Sequence, residues 1–146
     1  GLAASVTAII VTFLTVIAIL FNVKEMVVYG SLVIGSAIGF LLFNLHTAKV
    51  FMGDTGSLLL GGIISAMALY LKIPLVLIII AIVPIIETLS VMAQVTYFKK
   101  TGKRILKMAP LHHHLELSGW RESKVVSVFS IVTLVACIIG LISILN

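Results

Sequence analysis

Five stretches of this chain, residues 2–21, 26–43, about 55–71, 73–98 and 125–146, contain no charged side chain except Glu87. A run of about 20 apolar residues crosses the roughly 30 Å hydrocarbon core of a bilayer as a helix, and in that core a single helix satisfies its own backbone without water. Five such runs predict an all-α, polytopic integral membrane protein of about five transmembrane helices. Of the 146 residues, 61% are hydrophobic and 10% charged, with a mean hydropathy of +1.30, against about 25% charged in soluble domains. That balance excludes a soluble α/β enzyme, a disulfide-stapled secreted domain and a disordered tail. With Cys137 as the one cysteine, an intrachain disulfide and a cysteine-rich metal site are excluded as well.

The third span is short and begins at Gly53-Asp54-Thr55-Gly56-Ser57, whereas the fourth is longer than a bilayer needs and carries Pro84 in its middle. Proline removes a backbone donor, so the fourth helix is expected to kink near Pro84. No repeat, low-complexity tract or second domain is visible, and residues 1–146 read as a single transmembrane region.

Basic residues set the orientation. Lys49, Lys99, Lys100, Lys103, Arg104, Lys107, Arg121 and Lys124 lie in the loops after the second and fourth spans, while the other loops hold only Lys24 and Lys72. The positive-inside rule then makes 44–57 and 99–124 cytoplasmic loops, with Gly1 on the cytoplasmic side and Asn146 outside. The net charge of +5 and pI near 9.6 follow from that topology and require no nucleic acid. Gly1-Leu2-Ala3-Ala4-Ser5 is neither an initiator methionine nor the basic start of a signal peptide, so the chain reads as the C-terminal portion of a longer polytopic protein.

Two loops carry residues suited to chemistry. In the first, Asn44 to Leu58, Gly53 and Gly56 let backbone approach a ligand closely. Asp54 has two readings there: an N-cap of the third helix accepting from the amides of Gly56 or Ser57, or a ligand for Mg²⁺, which takes one or two carboxylates and completes its shell with water and phosphate oxygens. Lys49 suits phosphate or a positive-inside anchor, Phe51 suits stacking on a base or interfacial anchoring, and His46 reads as interfacial.

The second loop, 99–124, holds seven Lys or Arg residues and the run Met108-Ala109-Pro110-Leu111-His112-His113-His114-Leu115-Glu116. Three consecutive histidines diverge on a helix or strand, which argues against one zinc ion held by all three. They suit acid/base work near neutral pH and donation to phosphate or sugar oxygens, or else form a solvated cluster beside anionic lipid headgroups. Glu87 is the one acid inside a span, about 16 Å of helix from its cytoplasmic end, and is expected to be structural, buried against another helix. Gln94, two turns nearer the cytoplasm, can reach the region of both loops.

The segment Asn44 to Leu58, with its Val50-Phe51-Met52-Gly53-Asp54-Thr55-Gly56-Ser57-Leu58 core, together with Ala109-Pro110-Leu111-His112-His113-His114-Leu115-Glu116 and Gly119-Trp120, resembles the phospho-N-acetylmuramoyl-pentapeptide-transferase family. The resemblance covers essentially the whole chain. The Gly-Asp motif recurs through the wider superfamily of polyprenyl-phosphate sugar-1-phosphate transferases, and the triple histidine points to the muramoyl-pentapeptide branch.

The resemblance implies a Mg²⁺-dependent transfer of phospho-N-acetylmuramoyl-pentapeptide from its UDP carrier to undecaprenyl phosphate. The reaction would run on the cytoplasmic face of the bacterial inner membrane and release UMP. It implies Asp54 as the metal-binding aspartate, Phe51 as the aromatic that stacks on uracil, and Asn44 and Gln94 as residues lining the nucleotide pocket beside Gly53. His112, His113 and His114 match the loop that closes over the substrate, completing a catalytic set with Asp54. Dimerisation is typical of the family. Two departures matter. Thr47 stands where the family usually has proline, and the family's paired aspartates and Asn-rich aspartate motif belong to an N-terminal half absent here. The 146 residues alone are therefore expected to be inactive. Two other readings are a transferase of N-acetylhexosamine 1-phosphate to the same lipid, and a non-catalytic membrane scaffold whose basic loop binds anionic lipid.

Overall fold

The structure, a computed structural model, describes residues 1–44 and 49–145. His46 and Thr47 lie outside the described residues, as does Asn146. The described chain is all helical: α1 (Leu2–Leu20), α2 (Lys24–Asn44), α3 (Gly53–Tyr70), α4 (Pro74–Ile80), α5 (Ile82–Thr101), α6 (Leu111–Leu117) and α7 (Glu122–Leu145).

Helix α1 is apolar on every face and takes the central place, packed against α2, α3 and α7. Ile10, Val11, Leu14 and Ile17 are fully enclosed and form the heart of a core completed by Ile64, Met67 and Ala68 of α3, Ile80 of α4 and Phe129 and Cys137 of α7. Helix α2 is apolar yet mostly exposed, burying only Gly30, Ala37 and Asn44 at intervals of seven residues. That single seam faces α1, and a Cβ at Gly30 would run into the Thr15 side chain.

The α1–α2 and α3–α4 connections share one device. Asn22 and Lys72 take left-handed φ values of 57° and 58°. In each turn the following residue donates five residues back, Val23 to Ala18 O at 2.9 Å and Ile73 to Ala68 O at 3.0 Å. This Schellman pattern satisfies the last carbonyls of the helix and reverses the chain within three residues.

Among the described residues three helices, α1, α2 and α7, are long and apolar enough to cross a membrane, and a fourth span results if α4 and α5 are counted together. Against the expected five or so spans, three or four of the described helices meet this measure of length and apolar character. Helix α3 drops out because Gly53, Asp54 and Thr55 at its start and Tyr70 at its end dilute an 18-residue helix with polar groups. The expected kink in the fourth span is a break: α4 and α5 meet at 75° across Ala81. Pro84 has no N–H for the carbonyl of Ile80, and its ring clashes with that carbonyl in a continuous helix. The chain stops at Ile80 and restarts at Ile82, so Pro84 falls in the first turn of α5, where no N–H is needed.

Helices α1 and α7 run in parallel, since Leu2 and Val125 border one cavity while Phe13 and Gly140 meet further along. Because α1 and α2 form a hairpin, the start of α1, the end of α2, the start of α3 and the α6–α7 junction all gather at one end of the bundle.

Candidate active site

At that end, α5 presents a polar stripe, Glu87, Ser90 and Gln94, spaced by three and four residues so that they share a face. Each holds part of the returning loop. Gly102, with φ +68°, ends α5 and turns the chain back. The Oε1 of Gln94 accepts from Ile105 N at 3.0 Å and Leu106 N at 2.9 Å, while its Nε2 donates to Leu106 O at 3.1 Å. Next along the stripe, Ser90 Oγ accepts from Leu111 N at 3.1 Å and donates to Glu87 O at 2.6 Å. Glu87 then takes His112 twice, Oε1 accepting from the backbone N–H at 3.1 Å and Oε2 meeting Nδ1 at 2.6 Å.

Leu111 and His112 open the histidine helix, so two of the amides that α6 cannot bond internally find acceptors on α5. The expectation that Glu87 is buried against another helix holds in part: its side chain is 16% exposed and its partner is the histidine loop. The three histidines diverge in partners as their succession predicted. His113 Nδ1 faces Glu116 Oε2 at 3.0 Å, and His114 Nδ1 accepts from Lys107 N at 3.1 Å. Lys107 Nζ donates to Leu117 O at 3.3 Å and ties the end of α6 to the same loop. The ring of His112 lies 4.2 Å from that of His113, and behind them Lys124 Nζ sits 4.2 Å over the Trp120 ring at the start of α7.

The other loop is built around Asn44, which is buried and donates from Nδ2 to Val50 O at 2.7 Å. This bond pins the strand of chain leading to Phe51, whose ring is 83% exposed. Gly53 takes φ +66°, a conformation that favours glycine, with open space where a Cβ would stand. Asp54 is exposed in the first turn of α3 and makes no side-chain cap; the cap position falls to Met52. The N-cap reading of Asp54 is therefore corrected. The left-handed Gly53 starts the helix two residues early and carries the carboxylate past the place from which it would reach its own helix amides. Lys49 is exposed in the same loop.

Two spaces accompany these residues. A groove of about 340 Å³ runs along α5 beneath the loop, lined by Ile86, Leu89, Gln94 and Leu106 among others, and is almost wholly apolar. A cavity of about 300 Å³ lies between Gly1 and Leu2 of α1, His112, His113 and Glu116 of α6, and Glu122 of α7. Helix α3 packs chiefly on α1 and α4, and α6 on α5 and α7, so Asp54 and the histidines reach this end of the bundle on different neighbours. Among the described residues no three His, Cys, Asp or Glu side chains are arranged to hold one metal ion.

The model of Glycosyl transferase family 4 matches residues 1–72, which includes the Asp54 loop. Similarity to single proteins extends through the histidine helix. The phospho-N-acetylmuramoyl-pentapeptide-transferase of Clostridium acetobutylicum is 52% identical over 145 residues, covering 99% of this chain and 46% of that protein. That of Clostridium novyi is 50% identical over 146 residues, covering 100% and 45%, and that of Acetivibrio thermocellus 51% identical over 141, covering 96% and 43%. The chain is similar along essentially its whole length to the phospho-N-acetylmuramoyl-pentapeptide-transferases. It spans a little under half the length of these curated relatives.

Within the part shared with the phospho-N-acetylmuramoyl-pentapeptide-transferases, sequence reasoning singled out Asp54 and the histidines but missed Ser90 and the bond of Lys107 to α6. A signal for Ser90 was present: in an apolar span, Glu87, Ser90 and Gln94 recur at helical spacing, a polar stripe that needs partners from elsewhere in the protein.

Proposed function

We propose that the protein containing this chain transfers phospho-N-acetylmuramoyl-pentapeptide from UDP to undecaprenyl phosphate at the cytoplasmic face of a bacterial inner membrane, releasing UMP. The observation that carries this reading is similarity at about half identity along the whole chain to transferases of that name. The gathering of both polar loops at one end of an apolar bundle supports it. A nucleotide arriving from water and a polyprenyl tail held in lipid can meet only where such a bundle reaches the interface. Positively charged Lys49, Lys103, Arg104 and Lys107, all exposed there, support a cytoplasmic side for that end.

Transfer between a pyrophosphate and a lipid phosphate concentrates negative charge, so the work is positioning and charge neutralisation. Asp54 fits a Mg²⁺ ligand: a hard carboxylate, exposed and without a capping bond. Bound there, Mg²⁺ would supply neutralisation of the phosphate oxygens. Phe51 offers an exposed face to the uracil, Gly53 close backbone approach, and the Asn44–Val50 bond the rigidity of that loop. Gln94 holds the histidine loop in place beside the nucleotide, and the histidines close over the donor. Under this reading, further acids from the part of the relatives' length that this chain does not span complete the metal site.

The test is Mg²⁺-dependent UMP release by the full-length transferase in detergent, supplied with undecaprenyl phosphate and either UDP-N-acetylmuramoyl-pentapeptide or UDP-N-acetylglucosamine. Release is expected from the muramoyl donor alone, falling about 100-fold or more in Asp54→Asn, and the purified 146-residue chain is expected to release none. Release from the other donor would move the substrate within the superfamily. None from either, by folded protein, would leave a lipid-binding scaffold as the better reading.

A further inference from the structure

Glu87 and His112 are 25 residues apart in the chain and joined by two bonds, a pairing that the proposed transfer does not by itself require. A capping role needs only one acceptor for the His112 amide. The second oxygen, 2.6 Å from Nδ1, does something further: a carboxylate beside Nδ1 holds the proton on that nitrogen and leaves the lone pair on Nε2. Nε2 has no hydrogen-bond partner among the described residues, and His112 borders the cavity of about 300 Å³. His114 Nδ1 accepts from a backbone amide, which places the proton of its neutral ring on Nε2, whereas His113 Nδ1 faces Glu116 Oε2 at 3.0 Å, a more exposed pair within the same short helix.

We infer that Glu87 is a positioning residue for the transfer, holding His112 in the Nδ1–H form with Nε2 free to take a proton from, or accept a hydrogen bond from, the reacting phosphate. This rests on the transferase reading for its catalytic consequence, while the pairing stands on the geometry alone. The arrangement follows the logic by which a buried carboxylate orients a catalytic imidazole and selects its tautomer. Glutamine is the discriminating replacement. The His112 amide can only donate, so the glutamine oxygen turns to it, and the glutamine NH₂ is left facing Nδ1. Nδ1 must then accept, and the proton moves to Nε2.

The experiment uses the full-length transferase labelled with ¹⁵N-histidine, the His112 signal being the one absent from His112→Asn, at a pH about two units above the ordinary imidazole value of about 6.5. The wild type is expected to show Nδ1–H at His112, and Glu87→Gln to show Nε2–H. In UMP release, Glu87→Gln should lower kcat by about 100-fold or more with KM for the muramoyl donor changed less than about threefold. The Glu87→Gln, His112→Asn double variant should be no slower than His112→Asn alone. An Nε2–H signal in the wild type overturns the pairing without any variant having to fold. Unchanged kcat in Glu87→Gln despite an inverted tautomer, or losses that multiply in the double variant, overturns the positioning role. Absence of UMP release by wild type would sink the transferase reading instead, with the tautomers still deciding the pair.

Discussion

A carboxylate whose two oxygens are engaged by one neighbour behaves differently from one facing water, and Glu87 and Asp54 show the contrast. Glu87 gives both oxygens to His112, while Asp54 stands exposed in the first turn of α3. Both stood out in the sequence, Asp54 as a cap or a metal ligand and Glu87 as a structural acid inside a span, but their surroundings were not legible there, because neither neighbourhood is local. Gln94 makes the point sharply. Its amide is committed to the backbone of Ile105 and Leu106, which lie 11 and 12 residues away. Removing it should loosen the loop locally, since two amides and a carbonyl lose partners that water replaces only in part, at about 1–2 kcal/mol. Gln94→Ala is therefore expected to raise the rate of tryptic cleavage after Lys103 and Arg104 by about 5- to 30-fold, with the melting temperature in detergent little changed. Equal cleavage rates in the variant and the wild type would show that the staple holds nothing.

Helices α4 and α5 turn one long apolar run into a bent arm. Sequence alone marked the cause, Pro84, and the structure moved its effect upstream to Ala81, because a proline disrupts the carbonyl four residues before it rather than its own position. The bend of 75° carries the Glu87–Ser90–Gln94 stripe away from the axis of α4 and towards the returning loop. With Pro84→Ala an N–H is restored for the Ile80 carbonyl, and the two helices can fuse. Spin labels at the exposed positions Leu75 and Phe98 should then report a longer mean distance than in the proline-containing protein. An unchanged distance would mean that packing of α4 on α7 imposes the bend without help from proline.

In the assembled bundle α1 is the hub, and its neighbours approach where side chains are small. Gly30 of α2 lies against Thr15, whose hydroxyl is turned inward to Val11 O at 2.7 Å. Gly140 of α7 leaves room for Ile80, which a Cβ there would approach to 2.9 Å. Close approach of backbones at small residues is how helices associate in lipid, where apolar burial between them contributes little. Gly30→Val should force α2 off α1 and lower stability by about 1–3 kcal/mol, read as a fall in detergent melting temperature. Tolerance of valine would show that the α1–α2 seam is loose. The apolar faces that α2 and α5 leave exposed suit a bilayer or further protein.

Apolar run length, charge placement and residue chemistry are local properties, and they were enough to specify a helical membrane protein with two chemically loaded loops and a disrupted fourth span. The meeting of Glu87 with His112 and the hold of Ser90 and Gln94 on the returning loop depended on which helix ends gather together and on the angle at Ala81. Those are set by packing among residues far apart in the chain. Hydrophobic periodicity tells a helix which face to hide, and it says nothing about which distant polar group a buried carboxylate will find.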